Sequence, residues 1–123
     1  MSWYVAAEKL GREFARANQF LKELDAFPEL NSTSSVARVR WALAQAEERL
    51  KRLYEHRGDS RTDALKRVDE AEKALRFAER AIDRARELTS FVLKVREERK
   101  RFLHELALRL ARAKVERLRA PGL

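Results

Sequence analysis

Apolar residues recur along this chain at intervals of three and four, the spacing that gathers them on one side of an α-helix. The first run is Trp3, Ala7, Leu10, Phe14, Ala17, Leu21 and Leu24, with Phe20 and Phe27 widening the stripe. Ser2 precedes it as a candidate cap. Pro28 closes it, because a proline restricts the residue before it and removes a backbone donor. The pattern predicts a helix over 3–27, with Gly11 inside it at a cost of about 1 kcal/mol relative to alanine.

The polar run Asn31-Ser32-Thr33-Ser34-Ser35 is a loop that offers several N-caps. Val36, Val39, Leu43, Ala46, Leu50 and Leu53 follow on one face and predict a second helix over 34–57, with Gly58 suited to the position just past its end. Ser60-Arg61-Thr62-Asp63 resembles a capping box with Asp in the Glu position. It opens a third helix over 61–88, whose seam is Leu65, Val68, Ala71, Leu75, Ala78, Ile82 and Ala85; the alanines permit close helix approach.

No Gly or Pro occurs from Arg61 to Ala120. A turn at Thr89-Ser90, two adjacent poor helix formers, would separate a fourth helix over 90–119. Four helices of similar length make an all-α, antiparallel up-down four-helix bundle in one domain, 1–123, and this is the fold expected. One continuous helix through the third and fourth segments is the alternative. The last segment carries Phe91, Val92, Val95, Phe102, Leu103, Leu106, Leu110, Val115 and Leu118, and its second half is apolar over a wide arc, which suggests burial against more than one neighbour, another subunit being one candidate.

Charge adds what periodicity does not. The net charge is +8, and arginine outnumbers lysine by 20 to 8. Guanidinium grips phosphate with two donors and stacks on bases, although a GC-rich source would give the same bias. Few Asn and Gln beside many Glu and Arg also fit a heat-adapted, thermophile-like source. The excess is uneven: residues 32–58 carry six basic and three acidic groups, and residues 91–123 carry ten and four. Residues 59–90 are balanced at eight of each. The second and fourth helices therefore hold the basic surfaces, an electrostatic footprint for a phosphate backbone. The residues expected to bind nucleic acid are Arg38, Arg40, Arg96, Arg99, Lys100, Arg101, Arg109 and Arg112. A solvated face kept soluble by like charge is the competing reading. Trp41, flanked by Arg38 and Arg40 and off the main stripe, reads first as a packing or subunit-contact residue and second as a base-stacking one. Trp3 and Tyr4 likewise read as packing or oligomer contacts.

Other chemistry is sparse. There is no cysteine, no Gly-rich phosphate loop and no Gly-x-Ser-x-Gly, and neither His56 nor His104 belongs to a Glu-x-x-His pair, so no metal, cofactor or catalytic group is expected. Arg99 and His104 fit the Arg-x4-His spacing of HEPN-type helical ribonucleases, a short pattern in an arginine-rich chain. The start Met1-Ser2-Trp3-Tyr4 lacks the features of a signal peptide. The longest uncharged stretch, Leu30 to Ala37, is far too short for a bilayer, so a cytoplasmic protein, or one packaged in a nucleoprotein particle, is expected.

Phe27-Pro28 closing the first helix, an apolar second helix with a short turn, Leu65, Asp69, Leu75-Arg76 and Arg80 on the third, and Arg109 on the last form a spaced set. In these residues the chain resembles the four-helix proteins grouped with Avd, the accessory variability determinant of diversity-generating retroelements, and their relatives encoded by rRNA intervening sequences. It departs from them at Ala111-Arg112-Ala113-Lys114, where some members carry a Gly-Gly-Trp-like ending, and over residues 89–104. The resemblance implies a ring-shaped homo-oligomer, often pentameric, that binds nucleic acid and a reverse transcriptase through basic surfaces. The sequence leaves three other expectations beside it: a coat protein or CRISPR effector small subunit repeated along nucleic acid, a HEPN-like ribonuclease, and a structural scaffold or designed bundle.

Overall fold

A computed structural model describes residues 3–56 and 61–119, and among them no residue lies in a strand. The elements are α1 (Trp3–Asn18), the one-turn α2 (Phe20–Glu23), two 3-10 turns (Leu24–Ala26 and Pro28–Leu30), α3 (Ser34–Tyr54) and α4 (Arg61–Arg119). The caps expected at Ser2, Gly58 and Ser60 lie outside the described residues.

The helix expected over 3–27 stops at Asn18, and the chain tightens beyond it. The cause is a change of apolar period. Leu24, Phe27 and Leu30 are three residues apart, an interval that lines up in a 3-10 turn and drifts in an α-helix. Phe27 N–H donates to Leu24 O at 2.9 Å, Leu30 N–H to Phe27 O at 3.0 Å and Thr33 N–H to Leu30 O at 3.0 Å. All three apolar side chains, with Phe20, are buried. Phe27 leaves the helical region (φ −130°, ψ 60°) immediately before Pro28. Of the candidate caps in the polar run, Thr33 is the one used, its Oγ1 accepting from Val36 N–H at 3.4 Å.

Every residue of the stripe read on α3 is buried. It meets α1 and α4 in a cluster of Ala7, Leu10, Leu50, Leu53, Ala71 and Leu75. Trp3 packs against this cluster and sets its ring edge-on to the buried His56, 5.7 Å between centroids. On α4 the alanines Ala64, Ala71, Ala78 and Ala85 are buried, one every seven residues, and Ala81 is buried beside them. Leu65, expected in this seam, is exposed, and Ala64 takes its place.

No turn forms at Thr89-Ser90: α4 is helical through both. Nothing in the local sequence obliges a break. Leu88, Thr89 and Val92 hold the seven-residue frame set by Ala64 to Ala85, and all three are partly buried. The described residues therefore contain three long α-helices where four were expected. Contacts divide the chain into two units, 1–88 and 89–123. The first holds the core. In the second, no described residue is buried, and Phe91, Phe102, Leu103, Leu106, Leu110 and Leu118 are all exposed.

Gly11 has a packing role. The Tyr54 hydroxyl donates to Ala7 O at 2.9 Å, and a β-carbon on Gly11 would overlap that hydroxyl. Gly11→Ala gains about 1 kcal/mol of helix propensity and loses a hydrogen bond of about the same worth. We expect little net change in stability on its own. In a Tyr54→Phe background the same substitution should stabilise by about 1 kcal/mol. Urea denaturation of the four proteins in this cycle measures it, and equal effects in both backgrounds would refute the overlap.

Candidate nucleic-acid interface

On α3, Arg38, Trp41, Gln45, Arg49 and Arg52 succeed one another at intervals of three and four, which puts them on one side of the helix. Lys73, Phe77 and Arg84 repeat the device on α4. The two rows meet in a shallow cleft of about 510 Å³ where Trp41, Arg49, Lys73 and Phe77 converge. Trp41 is 58% exposed and Phe77 41%, and their rings meet edge to face, 5.9 Å between centroids at 81°. Trp41 is therefore no core residue of the single chain, and its ring contact is with Phe77. Closer to the start of α3, Arg38 and Arg84 flank a recess of about 80 Å³ beside Ser34 and Ser35.

The charges around this row are largely uncommitted. Arg38, Arg49 and Arg84 form no ion pair among the described residues. Arg52 is paired with Glu48 at 2.7 Å and Lys73 with Asp69 at 2.9 Å, both exposed and one helical turn apart. The hydrogen bond that Lys73 donates to Asp69, with the charge of that carboxylate, holds the Lys73 ammonium above the usual lysine pKa. Exposed pairs of this kind are worth little and exchange readily for a phosphate. Glu70 sits at the edge of the cleft and sets a local limit on its positive charge.

The α1–α4 side differs. Arg76 pairs with Glu13 of α1 at 2.6 Å, with Glu79, and at 3.8 Å with Glu72. The Glu13 hydrogen bond is the largest influence raising its pKa above the ordinary arginine value. While its carboxylate partners are ionised, that contribution to stability is present below the ordinary arginine pKa, and it is lost as pH rises through the raised pKa, at strongly alkaline pH. Arg86 lies 3.3 Å from Glu23 and 5.1 Å from the centre of the Phe20 ring. These arginines tie helices together.

The other expected binding residues are exposed, apart from the half-buried Arg96, but helical geometry disperses them. Arg38 and Arg40, two residues apart, face nearly opposite directions, so only Arg38 joins the Trp41 row. Arg99, Lys100 and Arg101 point about 100° apart in turn and cannot grip one phosphate together. Arg101 and Arg112 do share a face, with Lys94 and Arg119, at intervals of seven and eleven; Arg109 lies beside it. Of the five glutamate-to-arginine pairs that sequence spacing allows, Glu48–Arg52 and Glu72–Arg76 close, while Glu8–Arg12, Glu97–Arg101 and Glu105–Arg109 do not. Arg99 and His104 stand about 140° apart around α4. Among the described residues no group of three or more His, Asp or Glu side chains is placed to hold a metal ion, and no helix is long and apolar enough to cross a membrane.

Phe77, Lys73, Arg49 and Arg84 were not among the expected site residues. Their signal was available in the three-and-four spacing of polar and aromatic residues on the outer faces of the second and third helices. No family model matches the chain, and no curated protein and no solved structure is similar to it.

Proposed function

We propose that this chain is a non-catalytic, nucleic-acid-binding protein that acts as a homo-oligomer in the cytoplasm or within a nucleoprotein particle. The observation that carries the reading is the placing of Arg38 and Arg49, which form no ion pair among the described residues, in one α3 row with the exposed Trp41 and beside the exposed Phe77. Guanidinium groups without carboxylate partners neutralise phosphates at little cost, and release of condensed counterions then supplies most of the affinity. A second basic face, formed by Lys94, Arg101, Arg112 and Arg119, adds backbone contacts.

The homo-oligomer rests on the distal part of α4. A helix carrying Phe102, Leu106 and Leu110 in water exposes more apolar surface than a lone soluble chain ordinarily tolerates. A second copy covers that face in this reading, and the four-helix bundle is completed in the assembly. The most specific form of the proposal is an Avd-like accessory factor to a reverse transcriptase, which the residue resemblance supports.

A mobility-shift titration over salt tests the function. Binding to a DNA or RNA duplex should weaken linearly in log K against log salt. Absence of any retardation of either single-stranded or duplex nucleic acid at about 50 mM salt, a concentration at which backbone contacts are strong, would overturn the proposal and leave a scaffold whose basic faces only keep it soluble.

A further inference from the structure

We infer that the α3–α4 cleft at Trp41 and Phe77 is a stacking site for unpaired nucleobases, so that the protein prefers single-stranded nucleic acid. The inference rests on the nucleic-acid reading above and adds which strand form is recognised and where.

Three observations converge. First, both rings are offered to solvent from rigid helices: Trp41 from the middle of α3, Phe77 from the part of α4 that also carries the buried Leu75 and Ala78. Their edge-to-face contact at 5.9 Å holds the indole, most of which stays exposed. A base pairs its π-face with such a ring whatever its identity, whereas bases inside a duplex have both faces covered by their neighbours. Second, cations bracket the rings along the strand direction. Arg49 and Lys73 line the same cleft, and Arg38 and Arg84 lie on the other side of Trp41, towards the start of α3. From Arg38 to Arg52 the row is about 21 Å long at 1.5 Å per residue, enough for a short run of nucleotides laid along the groove. Third, the cleft is open and shallow, about 510 Å³, with an apolar floor at Ala42 and Ala74. Its volume exceeds that of a single nucleobase, and charged side chains, Arg49, Arg52, Glu70 and Lys73, border its apolar part. Basic groups at intervals with aromatic rings between them are the general arrangement by which sequence-tolerant single-strand binders work.

The test uses the full chain and two probes, a thymidine homopolymer of about fifteen nucleotides and a duplex of equal length, read by fluorescence anisotropy at matched salt. Trp41→Ala should weaken single-strand binding by about 5- to 150-fold, the range of one lost base stack, and leave duplex affinity unchanged. Phe77→Ala should act in the same direction. Trp41→Phe should retain most of the affinity while abolishing the quenching of tryptophan fluorescence that the single strand causes in the native chain. Equal losses on both probes, or none, would overturn the inference. So would a fall in oligomer mass in Trp41→Ala, read by light scattering, without a change in single-strand affinity; the cleft would then be a protein contact. Native chain that binds the duplex with no preference for the single strand overturns this inference alone. Native chain that binds neither probe overturns the functional proposal with it.

Discussion

Leu75→Ala will lower the stability of the first unit by about 2–5 kcal/mol, among the largest effects of any single substitution in the chain. Leu75 is completely buried, in the cluster where α1, α3 and α4 meet, between the alanines at 71 and 78. Those small residues bring the helix backbones close, so the hole left by a deleted isobutyl group has little room to collapse, and the cavity penalty adds to the lost transfer energy. Chemical denaturation followed by circular dichroism will show a lower midpoint with an unchanged slope. Leu110→Ala provides the contrast. Leu110 is 64% exposed, and in the single chain its loss should cost within about 0.5 kcal/mol. Similar costs at the two leucines would contradict the placement of the core.

The second large effect concerns charge. Replacing Lys94, Arg101, Arg112 and Arg119 together by glutamine should reduce the slope of log K against log salt by about 3, since each neutralised phosphate contributes roughly 0.7–0.9. Affinity at low salt falls with it. These four share one side of α4, so a backbone lying along that side loses every contact at once. Arg99, Lys100 and Lys114 lie on the opposite side of the helix, within about 100° of one another, and replacing those three should lower the slope by less than their number suggests. An unchanged slope after the fourfold change would place the phosphates elsewhere, on the α3 row.

What could be read from residues alone follows from how strongly each signal constrains the backbone. The α3 stripe was fully legible, because six apolar positions in strict helical phase admit one buried face. The tightening after Asn18 was hidden by length: Leu21 and Leu24 continue the α-helical phase of Trp3 to Ala17, and only the interval of three from Leu24 to Leu30 reveals the shorter period. At Thr89-Ser90, weak propensity suggested a turn, but propensity is worth only tenths of a kcal/mol per residue. An uninterrupted seven-residue frame outweighs it. Ala64 was missed for Leu65 because the larger side chain is the more obvious core candidate, whereas a close helix crossing selects the smaller one. The binding residues suffered from reading adjacency as proximity: Arg99-Lys100-Arg101 is dense in sequence and dispersed in space, while Arg49, Lys73, Phe77 and Arg84 are distant in sequence and gathered in space.

The last buried residue of α4 is Ala85, although the helix runs on to Arg119. Heat absorbed on warming the single chain should divide accordingly. Residues up to about 85 share one core and melt together in a cooperative peak. The helix beyond them has only a few partly buried side chains, Leu88, Thr89, Val92 and Arg96, and no buried one among the described residues, so it unwinds gradually, turn by turn, over a broad span of temperature. Any ligand or neighbour that rests on those turns must supply the free energy that keeps them wound, and its apparent affinity will therefore weaken on warming well before the core gives way.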